Sequence, residues 1–240
     1  MSAEDDVELS RLLESGAEVG GATVGTALGF LVGGPPGAFV GAASGAAAAG
    51  ALKRGALEVK RRWLTSRESS RIGGLVGLAA EEIQRRLLAG ETLREDGFFD
   101  GGDDSDAAEI VEQTLLAAKD ETEAKKLVVL GRLLAGIAFD PTVSREQAHI
   151  LLKAAESMSY RQLLLLVLFA SENHLSGARE ADYRNEPSLS GELIALLDEI
   201  FELVRRGLLT NGAHAALSLV DIQPSKLRTQ GLGATIHNLA

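Results

Sequence analysis

The hydrophobic pattern of the chain has one unusual feature, a run of 34 positions from Val19 to Leu52 that contains no charged residue. Elsewhere apolar residues recur three and four positions apart, which is typical of amphipathic helices. Short polar segments rich in Gly, Pro, Asp and Ser separate these helical stretches. The pattern therefore predicts a mainly α-helical protein whose N-terminal part differs from the rest.

Glycine recurs at every fourth position through the uncharged run, at Gly21, Gly25, Gly29, Gly33, Gly37, Gly41 and Gly45. Positions four apart share one helix face, so these residues would let two backbones approach closely. Pro35 and Pro36 cannot lie inside one continuous helix. We predict a helical hairpin with one arm at 19–33, a turn at 34–37 and a second arm that ends near Leu52, with the seven glycines as helix-packing residues.

This stretch resembles the glycine-zipper hairpins of bacterial envelope proteins. Each arm of about 16 residues would be about 24 Å long, against about 30 Å for a bilayer core. Two interpretations follow. The hairpin associates with or inserts into a membrane, or it is a buried core or an oligomer seam of a soluble interaction or regulatory protein.

A basic belt, residues 53–71, directly follows the hairpin. Residues 53–72 hold seven bases and two acids, whereas residues 1–52 carry a net charge of −5 and the whole chain −10. Bases and Trp are typical of the point where a helix leaves a bilayer. The predicted membrane-contact residues are Lys53, Arg54, Lys60, Arg61, Arg62 and Trp63. The alternative is that these bases pair with the protein's own acids.

The middle of the chain predicts a helix over 71–93 and then an acidic, turn-rich loop. The loop lacks the ligand order of an EF-hand, so its aspartates do not predict calcium binding. Asp106 and Glu109 have the spacing of a capping box. We therefore predict an N-terminal region at 1–94, an acidic linker at 95–105 and an independent helical domain at 106–240.

The second half predicts well-delimited helices. Residues 107–139 favour two helices that meet near Asp120, and the segment Leu163–Ala170 is apolar on all sides, which is typical of a central buried helix. N-caps are predicted at Ser144, Ser159 and Ser190, and a helix end is predicted at Gly207.

The tail, about 50 residues, resembles the end of a winged-helix domain. A helix is followed by the strand "GLL", a turn at Asn211-Gly212, a second strand and the helix start "LRTQGLG". DNA contact needs a basic surface, whereas this half is acidic, so the sequence argues against nucleic-acid binding. The segments "YRQLLLLVLF" and "RRGLL…LRTQGLG" also resemble bacterial abortive-infection proteins of the alpha type, and that resemblance implies a role in phage defence.

No constellation of catalytic residues is visible. The chain has no cysteine, its four histidines have no partner at metal-ligand spacing, and no phosphate loop, nucleophile elbow or dinucleotide fingerprint is present. The glycines of "GLVG" (74–77) match none of these motifs. We expect a non-enzymatic protein without cofactor or metal. Its expected partners are an anionic membrane surface and a second copy of itself, and its expected location is the cytoplasm, at the inner face of the cytoplasmic membrane.

Overall fold

The computed structural model of the protein describes residues 3–20, 24–33, 42–62, 64–171, 177–212 and 218–240. Within them the chain is mainly α-helical, with one two-stranded antiparallel sheet near the C-terminus and a helix after it. The predicted fold class is confirmed.

The first four helices belong to the N-terminal part of the chain: α1 (Ala3–Gly20), α2 (Val24–Gly33), α3 (Ala42–Lys60) and α4 (Ser66–Leu88). The next four are α5 (Asp106–Asp120), α6 (Lys126–Phe139), α7 (Arg145–Glu156) and α8 (Tyr160–Ala170). The C-terminal elements are α9 (Gly191–Arg205), β1 (Leu209–Asn211), β2 (Leu227–Thr229) and α10 (Gly231–Leu239).

The helices form two compact units whose division differs from the predicted domains. One unit comprises Met1–Glu156 with Leu239–Ala240, and the other comprises Ser157–Asn238. The predicted boundary at 95–105 therefore lies inside the first unit. The helices on the two sides of that loop pack together, since α5 contacts both α3 and α4, and α6 contacts α4.

The centre of the first unit is α4, which contacts α1, α2, α3, α5 and α6. It begins with a complete capping box, in which Thr65 accepts from the Glu68 N–H and the Glu68 carboxylate accepts from the Thr65 N–H. Nine of the twelve residues from Ile72 to Ile83 are buried. Small residues at 73, 74, 77, 79 and 80 allow neighbours to approach from several sides.

α1 and α4 approach each other closely, backbone against backbone. A Cβ atom on Gly73 would lie 1.9 Å from the carbonyl oxygen of Leu12, and one on Gly16 would lie 2.0 Å from the backbone nitrogen of Gly74. Only glycine leaves room for backbones this close. Gly73, and Gly74 at the start of "GLVG", are thus helix-packing residues.

The loop predicted as a linker is held to the first unit by Arg94. This guanidinium is buried, pairs with Asp96, donates to the carbonyl of Val143 at 2.8 Å and lies 4.3 Å from the centre of the Phe98 ring. The cap of α5 also differs from the prediction, because Ser105 rather than Asp106 accepts the Ala108 N–H at 3.1 Å. The acidic composition of 95–105 suggested a solvated linker, but the buried Arg94 side chain fixes the start of this segment through Asp96 and Phe98.

In the second unit, α8 contacts α9 and β2, and α9 contacts β1. The prediction that α8 is a central buried helix is wrong. Leu164 and Val167 are 48% and 51% exposed, and Leu168 is 39% exposed, while Leu163 and Phe169 are buried. Among the described elements, α9 and β2 are its main neighbours, and they leave the face with Leu164, Val167 and Leu168 exposed.

Helix ends in the second half follow the sequence signals. Ser144, Ser159 and Ser190 each accept the N–H of the third residue after them. Gly207 follows α9 with φ of +71°, a left-handed conformation that glycine adopts without strain. The predicted break between α5 and α6 near Asp120 is confirmed.

The two strands pair antiparallel, with Leu209 opposite Thr229 and Asn211 opposite Leu227. Gly212 has φ of +71°, as a turn requires, but it opens a long connection rather than a tight hairpin. A buried amide joins that connection to β1, because Asn211 donates to the Asp221 carbonyl and accepts the Gln223 N–H.

We predict that acid weakens the first unit through Asp96. Hydrogen bonds from Arg94 hold the pKa of Asp96 below its ordinary value of 3.8, so their stabilisation is present at neutral pH and is lost as the pH falls through the folded-state pKa. Asp96→Asn should lower the free energy of unfolding at pH 7 by about 1 kcal/mol, a small value because solvent screens a carboxylate this exposed.

The measurement is urea unfolding of both proteins between pH 7 and pH 3, with the exposed neighbour Glu95→Gln as the control. The gap between wild type and Asp96→Asn should close as the pH falls. A gap that stays constant with pH would show that the carboxylate charge at this position is irrelevant.

Candidate functional site

The candidate site combines the uncharged helix α2 with the basic belt that follows it. The inner face of α2 is formed by the buried Ala27, Phe30 and Leu31. Its outer face is formed by the exposed Gly25, Thr26, Gly29 and Val32. A helix at the surface of a globular protein normally presents charged residues outward, and α2 presents none.

The glycine stripe, the seven glycines predicted as helix-packing residues from Gly21 to Gly45, does not have one common environment in the structure. At Gly25 and Gly29, no atom of the described residues lies within 4 Å of where a Cβ would stand. Gly45 is buried in α3, and Gly33 ends α2. Gly21, Gly37 and Gly41, together with the predicted turn at 34–37, lie outside the described residues.

The predicted arms are modified accordingly. Val19 belongs to α1 rather than to the first arm, and the second arm continues past Leu52 to Lys60 as α3. α2 and α3 are in contact, although no described atom lies within 4 Å of a Cβ placed on Gly25 or Gly29. Pairing of the remaining stripe across the turn stays a prediction.

The first part of the belt faces α1. Lys53 is 4% exposed and forms an ion pair with Asp6. The Lys60 ammonium lies 3.0 Å from the Glu8 carbonyl oxygen and 4.0 Å from its carboxylate. Both predicted membrane-contact lysines thus lie against acidic residues of the N-terminal helix, and Lys53 is not on the surface.

The three arginines predicted as membrane contacts lie beside other acids. Arg54 Nε lies 3.0 Å from Asp103 Oδ1, and Arg61 Nη1 lies 3.5 Å from Glu58 Oε2. Arg62, which is about half exposed, pairs with Glu112. Trp63 lies outside the described residues. The arrangement agrees with the alternative that the bases pair with the protein's own acids.

A groove of about 780 Å³ lies between α1, α3 and α5. It contains Arg54 and Arg61. Its acidic lining consists of Asp5, Glu58, Asp103, Asp104, Glu109 and Glu112. The groove is net negative and does not suit an anionic ligand. No group of three His, Asp or Glu in the described part of the chain has the geometry of a metal site.

The shifted carboxyl pKa values belong to helix caps and surface ion pairs. The Thr65 N–H lowers the pKa of Glu68, and hydrogen bonds from Arg85 lower that of Glu82. These groups stay ionised at neutral pH, whereas a general acid needs a raised pKa. His149 is exposed on α7 and His237 is partly exposed on α10.

Comparison of the chain with protein-family models, with curated proteins and with solved structures gave no match. Among the described helices, none combines the length and the apolar composition needed to cross a bilayer.

Sequence reasoning missed the role of α1. The charge balance offered the signal, because the −5 of residues 1–52 lies entirely before Val19 and is equal and opposite to the charge of 53–72. It also missed the close contact at Gly16 and Gly73. A Gly-Gly pair inside a strongly amphipathic helix is the signal that could have found it.

The two kinds of glycine predict opposite effects of adding one methyl group. Gly29→Ala should raise the free energy of unfolding by about 1 kcal/mol, since alanine favours helix and no described atom lies within 4 Å of the added Cβ. Gly73→Ala should lower it by about 1–3 kcal/mol or more, because its Cβ would collide with the Leu12 carbonyl. Urea unfolding at pH 7 measures both. Destabilisation by Gly29→Ala would mean that the glycine stripe is a close contact after all.

Proposed function

We propose that this protein is a non-enzymatic helical effector that associates reversibly with an anionic membrane surface through α2 and the basic belt. The observation that carries the proposal is the outer face of α2, which is exposed and uncharged and belongs to a run of 34 uncharged residues. A net charge of +5 follows that run directly.

Two attractions to the membrane would add up: apolar contact of the outer face of α2, and electrostatic attraction of the belt's bases to anionic lipid. Val32 and the small residues beside it offer apolar area without a charge to desolvate. Each base near anionic lipid adds about 1 kcal/mol. A helix of 10 residues is about 15 Å long, half of a bilayer core, so the proposed mode is binding in the plane of the interface rather than spanning.

A second candidate is an interaction protein in which the open face of α2 is a seam between two copies. Gly25 and Gly29 favour this reading, because no described atom fills the space above them and small residues allow close helix contact. The ion pairs of the belt favour it too, since they already engage the bases within the chain.

For the biological role, we extend the proposal to phage defence. Its support is the resemblance of 160–169, 205–209 and 227–233 to abortive-infection proteins of the alpha type.

The test is flotation of the purified protein with vesicles of phosphatidylglycerol and with vesicles of phosphatidylcholine. The informative variant is Gly29→Glu, which places a charge on the open face of α2. The matched control is Gly191→Glu, at another exposed glycine with no described atom within 4 Å of a Cβ.

Wild type and Gly191→Glu should bind anionic vesicles at low salt and dissociate at high salt. Gly29→Glu should bind about tenfold more weakly, because a charge in the interface is costly. Absence of wild-type binding at low salt would refute membrane association. If light scattering then shows a dimer that Gly29→Glu dissociates, the second candidate is the function.

A further inference from the structure

The N-terminal helix and the basic belt carry equal and opposite charges. α1 contains six acidic residues and Arg11, and the belt region 53–72 contains seven bases and two acids. The uncharged run lies between them in the sequence. Charge separation of this kind along the chain allows one segment to neutralise the other once both are folded.

The structure brings the two segments into contact through acids of α1 and lysines of the belt. Asp6 pairs with Lys53, whose side chain is 5% exposed, and Glu8 lies beside Lys60, whose side chain is 24% exposed. A lysine that has lost most of its water and faces a carboxylate cannot also face a lipid phosphate. While α1 is in place, these two bases of the belt are therefore occupied.

α1 also covers apolar surface. Leu9, Leu12 and Leu13 are at most 2% exposed, and the helix packs on α2, α3 and α4. Removing α1 would uncover the small-residue face of α4 around Gly73 and, on the inner face of α2, Ala27, which lines one small cavity together with Leu13 and Gly16 of α1. The same movement would therefore release bases and apolar area together.

We propose that α1 is an autoinhibitory latch, which hides Lys53, Lys60 and the inner face of α2 from an anionic lipid surface until it is displaced. This inference rests on the proposed membrane association. Lipid shifts the latch equilibrium only if it binds the open form more tightly than the closed form. The open form meets that condition, since it alone presents two further lysines and a second apolar face.

The test is a pair of charge reversals on α1 in the full chain. Glu8→Lys places a positive charge beside Lys60 and repels it. Glu14→Lys is the matched control, because it makes the same change in net charge on the same helix at an exposed position whose described partner is Ser10 rather than the belt. Two quantities are measured: the affinity for phosphatidylglycerol vesicles, and the amide hydrogen exchange of 3–20 and 66–88 with and without vesicles.

With vesicles present, wild type should show faster exchange in 3–20 while 66–88 stays protected. Glu8→Lys should bind vesicles at least about fivefold more tightly than Glu14→Lys, the factor expected for each base freed near an anionic surface. It should also speed the exchange of 3–20 without vesicles, and Glu14→Lys should not.

The latch is wrong if wild type binds vesicles while 3–20 stays protected, or if both reversals tighten binding equally through net charge alone. These outcomes leave the proposed function intact. If no form binds vesicles, membrane association itself fails. The exchange of 3–20 in Glu8→Lys and Glu14→Lys without lipid then still decides whether the belt holds α1, and equal exchange in the two would refute the latch.

Discussion

The placement of α1 in the first unit depends on a backbone contact with α4. At Gly16 and Gly73 the two helices are too close for any side-chain atom, so their relative position is set by main-chain atoms rather than by flexible side chains. That position carries Leu12 and Leu13 into the core and sets Asp6 against Lys53. Packing and charge neutralisation in this part of the protein therefore have a common geometric origin.

In the same unit, several bases of the belt pair with acids that lie far from them in the sequence. The belt is strongly basic in the sequence, yet its two lysines lie against α1. Three of its arginines lie beside acids of the turn at 102–104, α3 and α5, namely Arg54, Arg61 and Arg62. The groove lined by these residues is consequently acidic. Counting charges along the sequence predicts the net charge of a segment such as the belt, but not which residues its bases pair with.

Local features of the fold were predictable from sequence because a few neighbouring residues determine them. The caps at Ser144, Ser159 and Ser190, the left-handed Gly207 and the break after Asp120 all depend on interactions within about one helical turn. The prediction that α8 is a central buried helix failed, because it depended on how many other helices surround α8. α8 has the more continuous apolar sequence, but α4, with its small residues, is the helix surrounded on most sides.

The sequence by itself determined the helical class, the small β pair, the uncharged run and the opposed charges of α1 and the belt. Composition and periodicity are sufficient for each of these. Only the tertiary structure decided that 95–105 belongs to the first unit, that Gly16 and Gly73 meet another backbone, and that Lys53 is buried. The reason is that glycine spacing and charge show which kind of neighbour a helix face can pack against. Which helix packs there depends on contacts between residues about 50 positions apart in the sequence.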